Sequence, residues 1–224
     1  MRMIVRFGKN ARLRFISHLD LQRFLHMALG RTGLPVKYTE GFNPHPQMAF
    51  GSALALYWTS DYELADIRLT VPMGRKRCEE AMRAALPADL PVYEVKLTDD
   101  RAPALMARVA ASDYEITLSG EGADAVCAAV QTFLDMESVP AVRKTKSGER
   151  EIDVRPLAID LTADGNTLRA RLMLTEQDTL KPDLLVETLA KIAGTEIPQT
   201  RIHRTCLLGK DESGELRPLM ELLG

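Results

Sequence analysis

Aromatic residues are scarce in this chain: they make up 5% of 224 residues, with one Trp, five Tyr and six Phe. No aromatic run of the kind that stacks bases on an RNP-type RNA-binding sheet is present. Cysteine is scarcer still. Cys78, Cys127 and Cys206 are odd in number and far apart in sequence. That excludes a disulfide scaffold and fits reduced thiols in a cytoplasmic protein. No apolar run approaches the roughly 20 residues that a membrane-spanning helix needs. The opening MRMIVRFGKN lacks the apolar stretch of a secretion signal. The expectation is a cytoplasmic chain with no membrane partner. Several signatures of chemistry are absent as well: GxSxG, GxGxxG, the phosphate-binding GxxxxGK loop, HExxH and any CxxC pair. No motif calls for a cofactor or a metal.

What is present describes an ordinary globular chain, 46% hydrophobic and 27% charged, long enough for two small domains. A net charge of −2 hides an asymmetry. Residues 1–50 hold Arg2, Arg6, Lys9, Arg12, Arg14, Arg23, Arg31 and Lys37 against Asp20 and Glu40, a net of +6, so the remainder carries −8. A local basic field on a mildly acidic protein attracts a polyanion while the whole stays soluble.

Periodicity and punctuation predict a strand at Met3–Phe7 and a helix that Ser17 caps and that runs to about Arg31. Leu21, Phe24, Leu25 and Ala28 form its buried stripe, with Gly33 as a left-handed stop before Pro35. Extended segments follow at Val36–Thr39 and Gln47–Leu56, then a strand at Tyr62–Val71, a helix at Arg75–Leu86 and a strand at Val92–Leu97. This is the split βαβ, ferredoxin-like order. After Asp99–Ala111 the order repeats: strand Tyr114–Leu118, helix Ala123–Asp135, a hairpin Val139–Val154 turning at Lys146-Ser147-Gly148, a second hairpin from Leu157 to Leu174 across Asp164-Gly165, helix Pro182–Ala193 and strand Arg201–Leu208. The fold class is therefore α+β: two ferredoxin-like sheet-and-helix domains, the second with an extra hairpin. Their expected bounds are 1–98 and 112–224, with 99–111 as the linker.

The segment from Arg12 to Phe50 concentrates three of the four histidines and the basic residues around one amphipathic helix. In Phe42-Asn43-Pro44-His45-Pro46, two prolines stiffen the backbone on either side of an imidazole, which leaves little ordering entropy to lose on binding. His45 there can donate to a phosphate or a base edge, and the same loop also serves as a plain strand-ending turn with Asn43 bonding its own backbone. His18, Gln22 and His26 form a polar stripe at helical spacing. Ser17 and His18 stand at the helix N-terminus, where unpaired amides favour an anion. Arg12 and Arg14 precede it, either as a phosphate clamp or on the exposed face of a short edge strand. Arg23 and Lys37 extend the cationic set. The ligand-binding candidates are Arg12, Arg14, Ser17, His18, Arg23, Lys37, Asn43 and His45. The catalytic candidates are His18 and His45, since histidine moves protons near neutral pH. A metal site would need His18, His26 and His45 to converge. Elsewhere, Arg75-Lys76-Arg77 opens a helix against its dipole and calls for local salt bridging with Glu79 and Glu80. The hairpin bearing Lys144, Lys146, Arg150, Asp153 and Arg155 reads as a solvated face. Arg201, His203 and Arg204 are expected exposed on the last strand.

FISHLD (residues 15–20), LGRTGLPVKYTEGFNPHPQMAFGSAL (29–54), EIDVRPL (151–157) and IHRTCLL (202–208) resemble a family of bacterial proteins described as radical-SAM-linked. Tyr57-Trp58 depart from the small aliphatic residues usual after its Pro-His-Pro turn. Members of that family are fused to, or encoded beside, a radical SAM protein. The resemblance implies a partner or substrate-presenting role. Three scattered cysteines cannot supply the CxxxCxxC run of a radical SAM cluster, so this chain does not carry that chemistry itself. The leading expectation is a non-catalytic accessory module for a radical SAM partner that recognises RNA through its basic N-terminal surface. The alternatives are an RNA- or nucleotide-processing enzyme using His18 and His45 as acid and base, and a protein-interaction domain with an apolar patch near Tyr57-Trp58.

Overall fold

A computed structural model describes residues 1–145 and 148–223. The turn expected at Lys146-Ser147 lies outside the described residues. The chain divides into two compact units, one made of residues 1–109 and 206–224, the other of residues 110–205.

In the first unit, β1 (Arg2–Lys9), α1 (His18–Arg31), β2 (Met48–Phe50), β3 (Thr59–Arg68), α2 (Arg75–Ala85) and β4 (Val92–Thr98) follow one another. β1 pairs antiparallel with both β3 and β4, and β2 pairs with β3, which gives the spatial order β4-β1-β3-β2. That is the split βαβ plan. Alternation aims Met3, Val5 and Phe7 of β1 at Leu21, Leu25, Ala28 and Leu29 of α1 and at Cys78 and Met82 of α2. Phe24, expected in the buried stripe, is only half-buried and lies under the Arg31 guanidinium. Gly33 has φ +65, as a left-handed stop requires. The extended Val36–Thr39 segment pairs only through isolated bridges, Val36 to Leu69 and Tyr38 to Pro46. Arg12 and Arg14 lie on no strand, because Ala11–Leu13 is a 3-10 turn that Arg14 closes. A short helix, α3 (Leu105–Arg108), follows β4, and Leu105 and Val109 are buried.

The second unit holds β5 (Ala111–Ser119), α4 (Ala123–Asp135), β6 (Pro140–Thr145), β7 (Gly148–Asp153), β8 (Ala158–Asp164), β9 (Thr167–Met173), α5 (Pro182–Ala193) and β10 (Gln199–Lys210), whose residues 206–210 count with the first unit. β9 lies between β5 and β8 and is antiparallel to both, with β10 on the far side of β5. The βαββαβ order thus recurs, and β6 and β7 form a separate two-stranded sheet as the extra hairpin. Tyr114, Ile116 and Leu118 alternate inward from β5, and α4 packs on α5. Arg204 contradicts its expected exposure. Strand alternation turns it inward with Ile202, it is 1% exposed, and its guanidinium lies 5.7 Å from the Tyr114 ring. The chain then returns to the first unit. β11 (Leu216–Pro218) pairs with residues 208–210, and the Leu219–Leu222 turn buries Leu219 and Met220. Gly209 permits this closure, because a Cβ there would meet the Arg108 carbonyl at 2.8 Å and Leu219 at 2.9 Å.

Candidate functional site

Ser17 caps α1 as its sequence position requires. Its Oγ accepts from the Asp20 amide at 3.2 Å, and its hydroxyl donates to the Asp20 carboxylate at 2.7 Å. Arg23 donates to the same carboxylate at 3.1 Å. The Ser17 hydroxyl, and secondarily Arg23, hold the Asp20 carboxyl below its usual range. The positive end of α1 therefore already faces a carboxylate of the chain itself.

The polar stripe of α1 turns toward the segment that carries the Pro-His-Pro turn. His18 stands steeply against Phe50, with 4.6 Å between ring centroids. Two turns further on, His26 stacks on His45 at 5.9 Å with 21° between the ring planes. The His26 Nε2 is buried and has no hydrogen-bond partner among the described residues. Burial, and then the charge of His45, push its pKa below the ordinary histidine value. His45 is held from several sides. Its Nδ1 lies 3.0 Å from the Asn43 carbonyl, its amide donates to Thr39 Oγ1 at 3.1 Å, and its carbonyl accepts from the Thr39 amide at 2.9 Å. A carbonyl can only accept, so the neutral ring carries its proton on Nδ1 and leaves Nε2 as an acceptor. Gln47 fixes the loop base by donating from its side chain to the Tyr38 carbonyl at 3.0 Å. At the tip, Phe42 is fully exposed.

A second feature joins Arg14, already a binding candidate from sequence, and Tyr57, expected in an apolar patch, to Phe15, which no sequence reading selects as a binding residue. Arg14 lays its guanidinium 4.3 Å from the Phe15 ring, and Phe15 meets Tyr57 edge to face at 5.9 Å and 85°. Both rings are more than 60% exposed. Tyr57 has φ +69, the one positive φ outside glycine among the described residues. A non-glycine residue held there stores about 1 kcal/mol of strain. The Tyr57 amide donates to the Arg14 carbonyl at 2.7 Å, which ties the two segments together. Trp58, its neighbour, is buried, so the exposed patch involves Tyr57 alone of that pair. The sequence signals are Arg14 beside Phe15 and the apolar patch expected near Tyr57-Trp58; nothing local announces a left-handed Tyr57.

The structure thus gathers Asn43, His45 and His26 in one place and seats His18 on Phe50. Arg12 is solvent-exposed, 3.9 Å from Asp89. Lys37 and Asn43 are exposed, and Arg23 is tied to Asp20. On α2, Lys76 pairs with Glu80, the local bridging expected there, whereas Glu79 pairs with Arg83 from the last turn. Among the described residues no three His, Cys, Asp or Glu side chains gather into a metal-binding cluster. Cys78 is buried and Cys127 and Cys206 are half-buried, and none of the three is in a disulfide among the described residues. No helix among the described residues is long and apolar enough to cross a membrane.

A family model described as an uncharacterized protein conserved in bacteria (DUF2344) matches residues 2–182. No curated protein matches the chain.

Proposed function

We propose, for a chain that belongs to the DUF2344 family of uncharacterized proteins conserved in bacteria, the role of an accessory module that serves a radical SAM enzyme by recognising RNA. The observation that carries this reading is the docking of the stiff Phe42–Pro46 loop on α1 through the His26–His45 stack, within a 50-residue segment of net charge +6. Such a loop presents Asn43 and His45 with little ordering left to lose. Arg12, Arg14 and Lys37 are exposed on the same unit and available to phosphates, and Arg23, exposed as well, reaches one by exchanging its Asp20 partner. His18 and His45 rest on different rings, Phe50 and His26, which favours binding over shared acid and base work. The radical SAM link rests on the FISHLD and GFNPHP strings, and the absence of a CxxxCxxC run leaves the radical chemistry to the partner.

The test is recovery of bound molecules from the tagged full chain expressed in its native host, read by RNA sequencing and mass spectrometry. Enrichment of an RNA that is lost on Arg14→Gln or His45→Ala supports the reading. Five phosphate contacts, from Arg12, Arg14, Arg23, Lys37 and His45, would give a log–log salt slope of about −3.5 on single strands. A radical SAM protein recovered without RNA would confine the chain to a partner role.

A further inference from the structure

Two exposed aromatic rings beside an arginine are unusual in a chain with so few aromatics, and here the backbone is bent out of its preferred region to hold one of them. Tyr57 could relieve its left-handed conformation by exchange for glycine, which adopts that φ freely. In place of a glycine the chain carries a ring that is 61% exposed. Folding alone gains little from a ring in solvent, whereas a ligand that covers the ring gains its whole face. Phe15, 62% exposed, stands nearly perpendicular to Tyr57, so the pair forms an open corner rather than a closed stack. Arg14 adds a cation over the Phe15 ring and belongs to the most basic part of the sequence. The three groups meet the needs of one chemical class: a flat π-face bonded to a ribose phosphate. Unpaired bases stack on aromatic and guanidinium planes, and their phosphates seek arginine.

We infer that Phe15, Tyr57 and Arg14 form a stacking site for one unpaired nucleobase of single-stranded RNA. This rests on the RNA reading above and assigns to it the residues that touch the base. Duplex RNA, with its bases paired and stacked internally, offers no free face to this corner.

The experiment measures binding of a decaadenylate RNA and, in parallel, of inorganic polyphosphate of about ten units to the full chain. A 2-aminopurine inside the RNA reports stacking by its quenching. Tyr57→Gly removes the ring while suiting the backbone, so loss of fold does not confuse the result. Expected are a roughly tenfold weaker affinity for the RNA in Tyr57→Gly and in Phe15→Ala, loss of the quenching, and unchanged affinity for polyphosphate. Tyr57→Phe retains both binding and quenching. Arg14→Gln weakens both probes and lowers the salt slope. If the wild-type chain binds the RNA and removal of either ring leaves affinity and quenching intact, the stacking site is overturned while the RNA reading survives. If the wild-type chain does not bind the RNA, both fall.

Discussion

His26 lies with its Nε2 buried and its ring stacked on His45, so protonation of both sets two cations face to face at 5.9 Å. Burial comes first among the causes that depress the His26 pKa, and the charge of His45 second. The unfolded chain therefore takes up this proton before the folded one as pH falls. The neutral imidazole contributes stability that is fully present above about pH 6.5 and is lost as pH drops through that value toward the folded pKa. An NMR titration of the four histidines checks this: His26 titrates below the ordinary value, and His45→Asn moves it upward. A His26 that titrates at or above the ordinary value would refute the effect. The His18–Gln22–His26 stripe was legible from spacing. That His45 would meet His26 rather than His18 was not, because the loop is placed by long-range ties of its flanks to the end of β3, the Val36–Leu69 bridge and the Arg68 amide donating to the Gln47 carbonyl.

At the level of elements, local signals succeeded where they were strong. Pro182 at the first helical position and Gly194 at φ +64 bound α5 at its expected residues, and α4 likewise spans Ala123–Asp135. Segments whose shape is set by distant neighbours are less legible. Gln47–Leu56 yields a strand only at Met48–Phe50, where β3 offers partners, and the chain around Arg12 turns rather than extends. The start of α4 permits a quantitative test. Gly122 has φ +82, and a Cβ there would lie 2.6 Å from the Glu196 carbonyl and 2.8 Å from Thr195 Oγ1. Gly120 has a similar φ, +84, with nothing within 4 Å of such a Cβ. Alanine at 120 therefore carries backbone strain alone, about 1 kcal/mol, while alanine at 122 adds a clash with backbone and costs about 2–3 kcal/mol. Thermal unfolding of both variants should show the larger drop in Tm for Gly122→Ala. Equal drops would mean that the contact with residues 195–196 yields without cost.

Over the whole chain, the feature least legible in sequence is the return of residues 206–224 to the first unit. The tail carries no amphipathic period, and its one strand has three residues, too few to register as an alternation. Its hold is nonetheless specific. Lys96 donates to the Leu223 carbonyl at 3.0 Å, Arg108 to the Leu222 carbonyl at 2.7 Å, and the Met220 amide to the Tyr62 hydroxyl at 3.1 Å. Leu219, Met220 and Leu223 are all buried. Tyr62 is buried, and that burial pushes its phenol up to about 12. A chain that ends at Lys210 would forfeit three buried apolar side chains worth about 1.5–3 kcal/mol each, an upper bound because the unfolded tail hides some surface already. Urea unfolding of the truncated chain should show a midpoint well below that of the full chain. An ultraviolet titration supplies the independent reading. In the full chain the Tyr62 phenol should titrate near 12, and in the truncated chain it should move back toward 10, the ordinary tyrosine value. An unchanged midpoint together with an unchanged tyrosine titration would mean that the tail merely rests on its unit. Because the exposed cations and the Phe15–Tyr57 corner belong to that same unit, the truncated chain should also bind RNA less well, whereas Gly122→Ala, placed in the other unit, should leave RNA affinity at the wild-type value.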